Sequence, residues 1–101
     1  KGTFSGEGTF YNTGLGSCGI TNTDSDFICA MNYVDMENGA NPNNNPKCGR
    51  KVQIKGPNGS VTVEVTDTCP TCAKGDIDLS PAAFAEIADF DAGRVDITWD
   101  W

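Results

Sequence analysis

Histidine is absent from this sequence. With it go the usual general base near neutral pH and the commonest zinc ligand, which excludes Ser-His-Asp and Cys-His catalysis within the chain. Any acid-base chemistry must fall to carboxylates. Basic residues are scarce as well: 7 Lys and Arg stand against 14 Asp and Glu, a formal net charge of −7. Such a chain repels nucleic-acid phosphates and anionic membranes, so neither is an expected partner. No apolar run approaches the roughly 18 residues of a membrane span, and no signal-peptide pattern is present. The start at Lys1 reads as that of a processed or trimmed chain. No repeat of about 20 to 50 residues and no linker divides the sequence.

What remains, 101 residues with five cysteines, suits one small domain over residues 1–101. Its modest core calls for covalent staples, as secreted folds of this size commonly have. Periodicity gives the elements. Gly6 to Asn12 is a strand candidate, followed by a Gly-rich loop through Gly16. Val52 and Ile54 alternate with polar neighbours, as do Val61, Val63 and Val65, predicting two half-buried strands. The Asn58-Gly59 pair between them predicts an antiparallel hairpin turn, a stronger reading than glycosylation of the Asn58-Gly59-Ser60 acceptor pattern. Asn38 to Pro46 is loop chemistry. Ser80-Pro81 starts a short helix whose buried face is Phe84, Ile87 and Ala88. After Gly93, Val95, Ile97, Trp99 and Trp101 alternate with polar residues as a terminal strand, with Trp99 assigned to the core and Trp101 less constrained. Short strands with brief helices predict an all-β, closed or nearly closed barrel.

An odd number of cysteines leaves at least one unpaired or paired outside the chain. Cys69 and Cys72 form a CxxC, but no second CxxC and no histidine completes a zinc site, so a local bridge is expected instead of metal or redox work. Cys29, within Phe27-Ile28-Cys29-Ala30-Met31, reads as a buried small hydrophobe. Cys18 and Cys48 are left as a long-range staple.

Chemistry is expected at the carboxylates. Asp67 shares the parity of Val61, Val63 and Val65 and is predicted to face the buried side where its strand ends, capping amides or lining a cleft. Asp76 and Asp78 lie opposite Ile77 and Leu79; two acids on one face could raise one pKa, as a general acid requires.

Gly8-Thr9-Phe10-Tyr11, Cys48 to Ile54, Val65-Thr66-Asp67-Thr68-Cys69-Pro70 and Asp76 to Phe84 together resemble the first domain of expansins. The likeness is strongest to the short single-domain fungal proteins called loosenins. The resemblance implies a six-stranded double-psi β-barrel with one or two short helices and an open polysaccharide groove. It implies that Thr9, Asp67 and Asp78 form the groove's polar centre, with Tyr11 a sugar-stacking neighbour. Asp78 matches the acid of the related family 45 glycoside hydrolases. Those enzymes set a base on the first strand, where this sequence offers Thr9 and Tyr11; Glu7 falls outside the matched position. Cys69 replaces a groove aromatic, and the second, carbohydrate-binding domain is missing, so weak affinity is implied. Tyr33 and Trp101 are the remaining stacking candidates.

The resulting expectation is a secreted, monomeric, non-hydrolytic cell-wall-loosening protein acting on cellulose, chitin or mixed glucans. No cofactor and no metal are called for. Two rivals stand beside it: a weak endoglucanase, and a cysteine-protease inhibitor or plant-interaction effector working through loops on the same barrel.

Overall fold

The computed structural model describes residues 3–101, and six strands close into one barrel in the order β1-β5-β2-β4-β3-β6. These are β1 (Phe4–Phe10), β2 (Ile28–Asn32), β3 (Lys51–Gly56), β4 (Gly59–Cys69), β5 (Ile77–Leu79) and β6 (Val95–Asp100). Two short α-helices, α1 (Tyr33–Met36) and α2 (Pro81–Ile87), accompany them. β1 runs parallel to β5 and β2 parallel to β4, while β5 and β2 meet antiparallel between these two pairs.

The interior follows the predicted alternation. Val52, Ile54, Val63 and Val65 are fully or almost fully enclosed, facing Cys29, Met31, Ile77 and Leu79 from β2 and β5. Trp99 is buried in the same cluster, and its indole Nε1 donates to the Gly75 carbonyl at 2.8 Å. That bond satisfies the polar end of a side chain otherwise suited to the core. Helix α2 closes one end of the barrel with Ala83, Phe84 and Ile87 buried, and the Ser80 hydroxyl accepts from the Ala83 amide at the N-cap. Pro81 sits where its missing N–H removes no helix bond.

The expected hairpin is present, with Val52 opposite Val63 and Ile54 opposite Val61. Its two turn residues are Pro57 and Asn58, however, because Gly56 pairs with Gly59; the positive φ falls on Gly59. The first strand also differs from the sequence reading. It begins at Phe4, where the Phe4 ring stacks on Trp99 at 4.5 Å, and it ends at Phe10, so Tyr11 stands just beyond it. Cross-strand aromatic contact extends the strand backwards where the local pattern gave no signal.

Cys18 is joined to Cys48 and Cys69 to Cys72, and Cys29 is a buried free thiol. Burial pushes the Cys29 thiol's pKa up, and the nearby Asp78 charge adds to this. It packs as a hydrophobe and is not a nucleophile.

Candidate functional site

Register alone lines up the polar residues on the outer face of the barrel. Asp67 on β4 pairs with Ala30 on β2, Ala30 with Asp78 on β5, and Asp78 with Thr9 on β1. Four strands thus contribute one row, with the small Ala30 as its floor. The Thr9 hydroxyl donates to Asp78 Oδ1 at 2.7 Å.

Asp67 reaches this row by a route that parity counting cannot see. Val65 pairs with Cys29 and Asp67 with Ala30, so Thr66 is an extra residue in β4. Such a bulge reverses the inside-outside alternation beyond it. Asp67 therefore does not continue the buried face of Val61, Val63 and Val65, as parity predicts, but shares the face of Asp78. Its Oδ1 accepts from the backbone amides of Ser17 at 2.8 Å and Thr68 at 2.7 Å. The capping role and the groove role coincide in one side chain.

Next to the row is a recess of about 240 Å³, lined by Glu7, Thr9, Asp76, Asp78, Arg94 and the Cys69–Cys72 bridge. Asp76 is tied down by the Glu7 amide at 2.9 Å and the Ala73 amide at 3.3 Å. Asp78 is half-buried, and burial raises its pKa above the ordinary aspartate value; the Thr9 hydroxyl and Arg94 oppose the rise, and the Asp67 charge adds to it. The neighbour that pushes Asp78 upward is thus Asp67, two strands away, and not Asp76 on its own face. A carboxyl held protonated to higher pH is suited to donating a hydrogen bond to a sugar oxygen.

Tyr11 is half-buried beside the row, where its amide donates to the Leu79 carbonyl at 3.0 Å. Burial, then the charges of Asp67, Asp78 and Asp24, push its phenol pKa upward. The phenol stays neutral and able to donate. Tyr33 is exposed at the start of α1. Trp101 packs edge-on to Trp99 at 5.5 Å, with the Arg50 guanidinium over its ring at 4.6 Å, which engages it in an intramolecular cation-π contact.

Two residues of the recess were missed or set aside in the sequence reading. Glu7 shares β1 parity with Thr9, which was a usable signal, and it lines the same recess as Asp78. Arg94 pairs with it at 2.7 Å from the far end of the chain, a proximity that no local pattern carries. A wider depression of about 840 Å³ spreads over β1, β6 and the β3–β4 turn, without Thr9 or Asp78.

Residues 3–99 match the family model described as lytic transglycolase. Over 99 residues the chain is 38% identical to the papain inhibitor of Streptomyces mobaraensis, covering 93% of this chain and 68% of that one. It is 38% identical over 72 residues to expansin-YoaJ of Bacillus subtilis, covering 71% of this chain but 30% of the expansin. Among solved structures, the Streptomyces papain inhibitor superposes with a TM-score of 0.90 at 37% identity, covering 98% of this chain and 93% of that one. An aspartate-to-asparagine variant of Clavibacter michiganensis expansin in complex with cellohexaose superposes at 0.84 with 28% identity, covering 98% of this chain and 50% of the expansin. The chain thus spans about a third to a half of the expansins and most of the papain inhibitor. By family model, sequence and barrel topology alike, it belongs to the expansin-like double-psi β-barrel family.

Proposed function

We propose that this protein binds cell-wall polysaccharide along the Thr9–Asp78–Ala30–Asp67 row and loosens it without cleaving it. The observation that carries the reading is the row itself, whose Thr9–Asp78 hydrogen bond fixes a carboxyl of raised pKa toward an open face. The cellohexaose bound to the superposable Clavibacter expansin supports a β-linked glucan as ligand. Cellulose and mixed glucans present equatorial hydroxyls that such a row can address, and chitin keeps the C3 hydroxyl while an acetamido group replaces the one at C2. Two disulfides fit a secreted domain.

Inverting hydrolysis needs a free base about 6.5–9.5 Å across from the acid. Asp76 is already occupied by the Glu7 and Ala73 amides, which leaves Glu7 and Asp67 as the carboxylates to weigh. Glu7 is engaged by Arg94, and Asp67 Oδ1 holds two backbone amides. Neither is poised to activate water, which favours disruption of inter-chain hydrogen bonds over bond cleavage.

A second reading, inhibition of cysteine proteases, is favoured by a different observation: the superposition on the papain inhibitor extends over nearly the whole of this chain and of that solved chain. The two readings are separable. Purified protein, Asp78→Asn and Glu7→Gln are incubated with cellulose and chitin, and retention, fibre strength and reducing ends are measured. The expected result at neutral pH is retention and weakening that fall about tenfold in Asp78→Asn, in which a neutral amide replaces the charge-assisted hydrogen bond of the carboxylate to a sugar hydroxyl, with no reducing ends released. Reducing ends that vanish in Glu7→Gln would overturn the non-lytic reading in favour of a hydrolase. Papain inhibition that persists in Asp78→Asn would assign that activity to a surface outside the row.

A further inference from the structure

We infer that the loop from Thr13 to Thr21 is a protein-recognition element that inserts Leu15 into the apolar substrate pocket of a papain-type cysteine protease. The inference rests on the second reading above and gives it a site.

Leu15 is 73% exposed, the most exposed of the large apolar side chains, and Ile20 beside it in the loop is 39% exposed. A single exposed leucine is ordinarily unremarkable in a flexible segment. This one sits on a segment fixed from several directions. Leu15 and Thr21 form a bridge, the Gly16 amide donates to Ile20 O at 3.0 Å, and the Asn22 amide to Gly14 O at 3.1 Å. At the base, Asp24 accepts from the Thr13 amide and hydroxyl and from Asn12 Nδ2. On the barrel side, the Ser17 amide is held by Asp67 and the Cys18 amide by Thr66 O, while Cys18 is bridged to Cys48. Gly16 lies so close to β4 that a Cβ there would stand 2.2 Å from Thr66 O. The loop has therefore lost its conformational freedom before any partner arrives, which removes much of the entropic penalty of binding.

Its composition points the same way. Residues 8–23 carry no charged side chain, in a chain that is 21% charged. With the charges of Asp24 and Asp67 held at the loop's base by backbone amides, an uncharged segment around an exposed apolar anchor is what the desolvated centre of a protein interface requires. A polysaccharide chain offers hydroxyls and shallow apolar faces, with no pocket for a branched aliphatic side chain. A protease substrate cleft does offer such a pocket.

Papain is the probe. Its hydrolysis of a fluorogenic peptide is titrated with the unmodified protein, Leu15→Ala and Leu15→Asp, with thermal melting to verify that each variant is folded. The expected result is competitive inhibition by the unmodified protein, weakened about 30-fold or more by Leu15→Asp and less by Leu15→Ala, with melting unchanged. Inhibition by Leu15→Asp within about twofold of the unmodified protein would overturn the assignment of the loop and leave the inhibitor reading standing. Absence of inhibition by the unmodified protein would overturn the inhibitor reading and the inference together, and polysaccharide retention would be unaffected by that outcome.

Discussion

Asp78 carries a contradiction that only its surroundings resolve: it is a carboxyl kept half out of water on an otherwise acidic molecule. Burial raises its pKa first, and Asp67 raises it further, against the Thr9 hydroxyl and Arg94. The folded state therefore keeps this proton to higher pH than the unfolded chain does. Between the ordinary value of 3.8 and the folded pKa, the folded state binds more protons, so stability falls as pH rises through that window and the penalty is complete above it. Asp78→Asn removes the charge and leaves an amide oxygen to accept from Thr9. Its melting temperature is expected to exceed that of the unmodified protein at neutral pH, with the difference disappearing well below pH 3.8. Calorimetry across that range checks the sign; equal gains at both ends would mean that charge burial at Asp78 is unrelated to stability. Together with lost polymer retention, a stabilising substitution would mark a residue maintained for binding at the expense of folding.

At the scale of elements, the hairpin of β3 and β4, the helix after Ser80 and the terminal strand were legible because each declares itself within a short window. Period-two valines, a hydroxyl before a proline and an alternating tail need no distant partner. Strand β5 is only three residues long, so the alternation from Asp76 to Leu79 showed its two faces but not that it is a strand, and β2 is buried at every position and offers no polar face to alternate. Tertiary pairing makes them strands. The candidate site was legible as a set of residues through the resemblance, but the face of Asp67 was not. One inserted residue, Thr66, decides it, and inserted residues leave no mark in a pattern of alternation. The bulge also fixes what Asp67 does mechanically, since it turns the carboxylate onto the Ser17 amide and so docks the Leu15 loop on β4. Asp67→Ala strips an acceptor from two partly buried amides and is expected to lower stability by about 2–4 kcal/mol. Asp67→Asn, which keeps an oxygen in place, should lower it by less than half as much. Urea unfolding at constant m-value tests this, and faster amide exchange at Ser17 and Thr68 would locate the effect.

Over the whole molecule, a 101-residue chain with 14 acidic and 7 basic residues repels itself and encloses one modest core. Added links must compensate. One is polar: buried Asp35 accepts from Lys74 Nζ at 2.8 Å, the Gly75 amide at 3.0 Å and Asn32 Nδ2 at 2.8 Å. These contacts hold its pKa low against the upward push of burial, and they clamp α1 to the segment before β5. The other links are covalent, and they are not equivalent. Cys18–Cys48 spans a separation of 30 residues, whereas Cys69–Cys72 spans 3. If a cross-link acts by restricting the unfolded chain, the long loop contributes about 3.7 kcal/mol and the short one about 1.9 kcal/mol. At roughly 4–5 °C per kcal/mol for a domain of this size, replacing both Cys18 and Cys48 by Ala should lower the melting temperature by about 15 °C, and replacing Cys69 and Cys72 by about 8 °C. The functional consequences should run in opposite order on the two surfaces. The Cys18–Cys48 bridge anchors the Leu15 loop, while Cys69 and Cys72 line the recess beside Asp78. Loss of the first should impair papain inhibition more than polymer retention, and loss of the second should do the reverse. Equal impairment of both activities by either pair would mean that the bridges act through global stability alone, and that loop and recess are not separately organised sites.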